Sequence, residues 1–174
     1  MIGGGPAVLV ERALDSLGIV AASSEIEHLS VKFQETYLEQ GNTLTTLFPG
    51  AVDCLEQLAD QDIAIGLCSN KPERICHQLL SDLGIRHYFQ VIQGSGSGLP
   101  TKPDPAVLIE TLRRLEAGPE RALYVGDSMT DVETARAAGV TVVLVIGGYT
   151  AIPAESLGAD RVVAGLADVM STWQ

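Results

Sequence analysis

A chain of 174 residues with 46% apolar content buries one substantial core with at most a small appendage, and is folded rather than disordered. A formal net charge of −11 supplies no basic stripe to neutralise phosphate backbones or anionic lipid, which argues against nucleic acid and membrane as partners. A small anionic ligand stays compatible with that charge, because one lysine and a metal reverse the field locally.

Two helical segments come first. Val8, Leu9, Ala13, Leu14 and Leu17 recur at helical spacing, with Gly18 as a stop. Ser24 is placed to cap a second helix, with Glu27 at the capping-box position and a stripe of Ile26, Leu29, Phe33 and Tyr37. Both stripes read as core packing. The stretch from Gly41 to Thr46 is polar and reads as a linker.

From Phe48 the pattern alternates between helices and strands. Pro49 and Gly50 open a helix through Leu58, and Ile63 to Cys68 form a short apolar strand. Pro72 to Leu83 is helical and stops at Gly84. Phe89 to Ile92 is a short strand, followed by a Gly/Ser-rich loop from Gly94 to Gly98. Asp104 caps a helix that has Pro105 in its first turn and runs to about Leu115. A strand ending at Asp127, a helix to Ala138, the strand Val140 to Val145 and a short strand at Arg161 to Val163 complete the chain. Apolar strands alternating with helices imply an α/β fold, a Rossmann-like parallel sheet covered on both faces. The three cysteines, Cys54, Cys68 and Cys76, are odd in number and form no C-x-x-C pair. That favours reduced thiols and a cytoplasmic setting. No signal-like segment opens the sequence, and the apolar stretch around Val140 to Ile146 is far too short to span a bilayer.

Three polar clusters follow strands or sit in strand-to-helix loops, which gather at the carboxyl edge of an open parallel sheet. Ser69-Asn70-Lys71 offers a hydroxyl and backbone N–H groups suited to an anionic oxygen, or simply caps the helix after it. Lys102-Pro103-Asp104-Pro105 holds a lysine in a stiffened loop, as a point charge for a phosphoryl group or as a solvated residue before a capped helix. Asp104 reads as a cap rather than a ligand. Val125-Gly126-Asp127-Ser128 ends an apolar strand on a carboxylate, a good site for a hard cation such as Mg²⁺. Asp131 stands at capping-box distance from Ser128.

In this order, the three clusters resemble those of the haloacid-dehalogenase superfamily of Mg²⁺-dependent phosphatases, and within it the phosphoglycolate phosphatases and their close relatives. Gly3-Gly4-Gly5 with Leu9-Val10-Glu11-Arg12-Ala13-Leu14 resembles part of their helical cap. The resemblance implies a partial cap over residues 1–46 and a core over 47–174. It also implies that Ser69 and the Asn70 backbone bind the phosphoryl group and that Lys102 offsets charge on phosphate and nucleophile. Asp127 would bind Mg²⁺, with Asp131 assisting directly, through water, or by orienting the loop. The substrate would be a small phosphorylated metabolite, 2-phosphoglycolate foremost, with other sugar-phosphate hydrolases and phosphomutases as alternatives.

The same resemblance calls for an Asp-x-Asp-x-Thr loop whose first Asp is the nucleophile. The chain's one Asp-x-Asp, Asp60-Gln61-Asp62, precedes a strand and lacks the Thr. In a complete relative roughly fifty residues would stand before Met1. The expectation is therefore a truncated, inactive form missing its first, central strand. Inner strand edges would lie unpaired between the strands ending at Cys68 and Asp127, leaving a chain that is marginal, swaps segments or closes the gap. A non-catalytic module that binds Mg²⁺ or an anion, or scaffolds a partner, is the competing reading. A phosphoryl-acceptor receiver domain has less support, because no Asp ends an early strand. Oligomeric state is not readable, although an exposed cap stripe favours association.

Overall fold

Val142, Val143 and Leu144 are wholly buried, as a continuous apolar run must be when helices or loops cover both faces of a parallel strand. They belong to β4 (Thr141–Val145), the middle strand of a parallel sheet ordered β3 (Leu123–Gly126), β4, β5 (Arg161–Val163). Helix α6 (Met129–Ala137) lies on this sheet, with Val132 and Ala135 buried. A second parallel sheet pairs β1 (Gly66–Pro72) with β2 (Val91–Ser95). It packs against α4 (Glu73–Asp82) and α5 (Ala106–Arg114). The computed structural model describes residues 5–40, 44–148, 150 and 152–172.

The α/β architecture with parallel strands is the expected one. The sheet is nevertheless in two pieces, and no ladder joins β1 to β3 among the described residues. The gap falls between the strands ending near Cys68 and Asp127 and is not closed by pairing. Two apolar clusters form, and the larger bridges the sheets through Leu108 and Leu112 of α5 and through Cys68 of β1. One gathers Leu108, Leu112, Tyr124, Val132, Val142 and Leu144, and the other Cys76, Leu80, Ile85 and Ile92.

Ahead of these sheets, α1 (Pro6–Ser16) and α2 (Ser23–Gln40) pack on each other, and α3 (Ala51–Asp60) leads into the first sheet. Gly18, with φ of 69°, ends α1 as expected. Helix α2 starts earlier than the Ser24 cap suggested: the Ala22 amide donates to Glu25 Oε2 at 2.8 Å, so Glu25 rather than Glu27 closes its first turn. The expected linker lies partly outside the described residues. Among the described residues, no helix is long and apolar enough to cross a membrane.

The first strand departs most from expectation. It begins at Gly66 rather than Ile63 and runs through Ser69, Asn70 and Lys71. Its ladder with β2 is regular from Gly66 to Cys68, slips, and resumes at Pro72 opposite Ser95. The slip has a local cause. A Cβ on Gly94 would stand 2.7 Å from the Lys71 carbonyl oxygen, so only glycine lets β2 approach the irregular segment so closely. Asp60-Gln61-Asp62 lies at the end of α3, with Asp62 at φ 54°. It does not follow a strand, as the sequence indicated.

Candidate functional site

Side chains from β1, the loop after β2, β3 and the start of α6 meet. Asn70, buried near the end of β1, forms a reciprocal pair with the backbone of Lys102. Its Nδ2 donates to the Lys102 carbonyl at 2.9 Å, and its Oδ1 accepts from the Lys102 amide at 2.7 Å. The Lys102–Pro103 peptide within this loop is cis. The Lys102 ammonium then reaches Asp131 Oδ1 at 2.7 Å and the Tyr124 hydroxyl at 2.9 Å.

Asp131 is surrounded by donors. Its Oδ1 also accepts from the Tyr124 hydroxyl at 3.2 Å. Its Oδ2 accepts from the amides of Asp127 and Ser128, both at 3.1 Å, and from the Ser128 hydroxyl at 2.7 Å. The Ser128–Asp131 capping box of α6 is therefore present. The same carboxylate joins the loop after β3 to the lysine of the loop after β2. Tyr124 extends the network to β1, its hydroxyl lying 3.5 Å from the Cys68 carbonyl oxygen.

Electrostatics follow from this crowding. Burial alone would raise the Asp131 pKa, but the Lys102 charge and the hydrogen bonds from Lys102, Ser128 and the Asp127 amide outweigh it and lower the value. Burial is also the main reason the Tyr124 phenol is held far above its ordinary range, so it stays protonated as donor. The Cys68 thiol is pushed up to about 11, chiefly by burial and against the pull of Lys102. It behaves as a small hydrophobe rather than a nucleophile.

Ser69, Asn70, Lys102, Asp127 and Asp131 thus stand in or beside one linked cluster. Ser69 lies between Cys68 and Asn70, and its Oγ accepts from the Lys71 amide at 3.1 Å, a local turn that fixes the chain there. Asp104 Oδ1 accepts from the Ala106 amide at 2.9 Å, the capping role the sequence assigned. Three features escaped sequence reasoning. The first is the Asn70 side chain, which holds Lys102 in place. The second is Tyr124, an aromatic with a polar tip in an aliphatic run, a signal that its hydroxyl must find a buried partner. The third is Gly148: a Cβ there would lie 2.7 Å from Asp127 Cγ, so the loop after β4 closes directly on this carboxylate.

Among the described residues, no three His, Cys, Asp or Glu side chains converge. A Mg²⁺ ion needs no such cage, since it takes one or two carboxylates together with phosphate oxygens and water. Asp127, at the end of β3, supplies a carboxylate of that kind. Both Asp131 oxygens accept hydrogen bonds, Oδ1 from Lys102 and Tyr124 and Oδ2 from the Asp127–Ser128 turn.

Residues 11–145 match the family of haloacid dehalogenase-like hydrolases. The chain is similar to the phosphoglycolate phosphatase of Rhodospirillum rubrum, at 37% identity over 91% of this chain and 68% of that protein. It is also similar to phosphoglycolate phosphatase 1 of Pseudomonas aeruginosa, at 38% identity over 85% of this chain and 55% of that protein. Among solved structures, that of a predicted phosphoglycolate phosphatase from Haemophilus somnus 129PT aligns with a TM-score of 0.88 and 28% identity, covering 99% of this chain and 79% of that one.

Proposed function

Because the chain belongs to the haloacid dehalogenase-like hydrolases, we propose that its linked cluster is the phosphoryl- and metal-binding part of a phosphatase site. The substrate is a small phosphorylated metabolite, 2-phosphoglycolate foremost, and the setting is cytoplasmic. One observation carries the reading: Lys102 of the loop after β2 and the Asp127 amide after β3 donate hydrogen bonds of 2.7 and 3.1 Å to the one Asp131 carboxylate at the start of α6.

Ser69 and the backbone of Asn70 hold phosphoryl oxygens, and Lys102 offsets their charge. Asn70 and Asp131 keep the ammonium in position, so little reorganisation accompanies binding. Asp127 and phosphate oxygens would hold Mg²⁺, which when bound would neutralise charge on the transferring group. The helical segment within residues 1–46 serves as a partial cap over the core of residues 47–174.

The 174 residues contain no strand-end Asp-x-Asp-x-Thr, so this chain by itself binds without turning over. Without a nucleophile, rates fall by many powers of ten. Assayed with Mg²⁺ on p-nitrophenyl phosphate, the purified chain should stay at background. Turnover that Asp127→Asn abolishes would refute the inactivity and assign catalysis to these residues.

A second reading, a non-catalytic module binding Mg²⁺ or an anion, is favoured by the same feature: the binding residues are organised without the nucleophile. Calorimetry with Mg²⁺ and inorganic phosphate addresses it. Absence of heat, unchanged by Lys102→Gln, would remove it.

A further inference from the structure

Two lysines stand at the carboxyl edge of the sheets, and only one of them is neutralised. Lys102 is matched by Asp131 at 2.7 Å. Lys71, half-buried one residue after Asn70, makes no ion pair among the described residues. Acidic groups are plentiful in a chain of net charge −11, yet none pairs with this ammonium among the described residues. Glu73, two residues on, is turned away: its Oε2 accepts from the Gly94 amide at 3.1 Å.

The backbone of Lys71 is held on three sides. Its amide donates to Ser69 Oγ at 3.1 Å, its carbonyl accepts from the Cys76 thiol at 3.6 Å, and Gly94 closes on that carbonyl. The side chain extends to the helical hairpin, where its ammonium sits 4.6 Å from the centroid of the Tyr37 ring of α2. An aromatic face attracts the cation and limits where it can go. The ring provides no oxygen acceptor for the three N–H groups, and this leaves the ammonium able to bind an anion.

We propose that Lys71 is a specificity-determining residue that binds a second anionic group, a carboxylate, on the phosphorylated metabolite. Tyr37 is the positioning residue that carries the ammonium between hairpin and core. This inference rests on the phosphoryl-site reading above. Its chemistry is that of a short phosphorylated carboxylic acid, with the phosphoryl group at Ser69, Asn70 and Lys102 and the carboxylate at Lys71. Ester and acid then meet separate lysines, only one of which is already compensated by the protein.

Titration of the ¹⁵N-labelled chain, in Mg²⁺, with 2-phosphoglycolate and with ethyl phosphate tests it, since the second ester lacks the carboxylate. The wild-type chain should bind 2-phosphoglycolate about tenfold more tightly, the worth of one charge-assisted hydrogen bond. Lys71→Gln should erase that preference by weakening only 2-phosphoglycolate binding. Tyr37→Leu should reduce it, while Tyr37→Phe, which keeps the ring, should retain it. The same spectra report whether each variant is folded. A preference that survives Lys71→Gln, equal weakening of both esters, or equal wild-type affinities would overturn the role of Lys71 and leave the phosphoryl site standing. Binding of neither ester would overturn both readings.

Discussion

Asp131 performs two tasks at once. It caps α6 with one carboxylate oxygen and compensates Lys102 with the other. Removing its charge should therefore cost more than a lost cap. Asp131→Asn leaves the Lys102 ammonium nearly buried without a counter-charge, and such a break lowers stability by about 3 kcal/mol. Urea denaturation at neutral pH measures that loss. The lowered Asp131 pKa also sets a direction with pH. The carboxylate's contribution is fully present above its unfolded value, about 3.9, and is lost as pH falls through the lower folded value. Wild-type stability should decline below about pH 4, and the Asn variant should show a shallower decline over the same range. Asp131 was visible in the sequence as a capping residue. Its second task was not, because the Lys102 loop and Tyr124 come to it only through tertiary structure.

Short elements ending on glycine or a polar cluster set the geometry of the site. Gly126 has no positive φ, so its glycine identity is a matter of space. A Cβ would lie 2.6 Å from Asp131 Cγ. Gly126→Ala should destabilise the chain by about 2 kcal/mol through overpacking and should weaken phosphate binding as Asp131 is displaced. Paired urea and calorimetric titrations separate those two losses. Most elements after Phe48 were legible, because a run such as Val142–Leu144 admits only a buried strand and Asp104-Pro105 only a helix start. The onset of β1 was not. Ile63 to Ile65 are as apolar as a strand, but the ladder begins at Gly66, where α5 packs so closely that a Cβ would meet Thr111 Cγ2 at 2.7 Å. Such an approach depends on a partner helix more than forty residues away, which local pattern does not encode.

At the scale of the whole molecule, no ladder joins the two sheets among the described residues, while α5 and Cys68 link them through one apolar cluster. Backbone protection should nevertheless differ along the sheets. In amide hydrogen exchange, β4 between its two partner strands should be the slowest region. The amides of β1 and β3 that face the gap should exchange faster than those facing β2 and β4. Uniform protection across both strands would contradict the separation. The gap was anticipated from the sequence only through the family resemblance, since nothing in the pattern of a strand reveals whether its neighbour is present. Val125 is 38% exposed, although it sits in a run that reads as buried.

The reciprocal pair between Asn70 and Lys102 gives the slip in the β1 ladder a different significance. A side-chain amide here imitates a peptide group and ties the end of β1 to the loop after β2 as a backbone bridge would. The bridge lies in the irregular part of β1, between its two stretches of ladder with β2, so it holds the Lys102 loop where strand pairing does not.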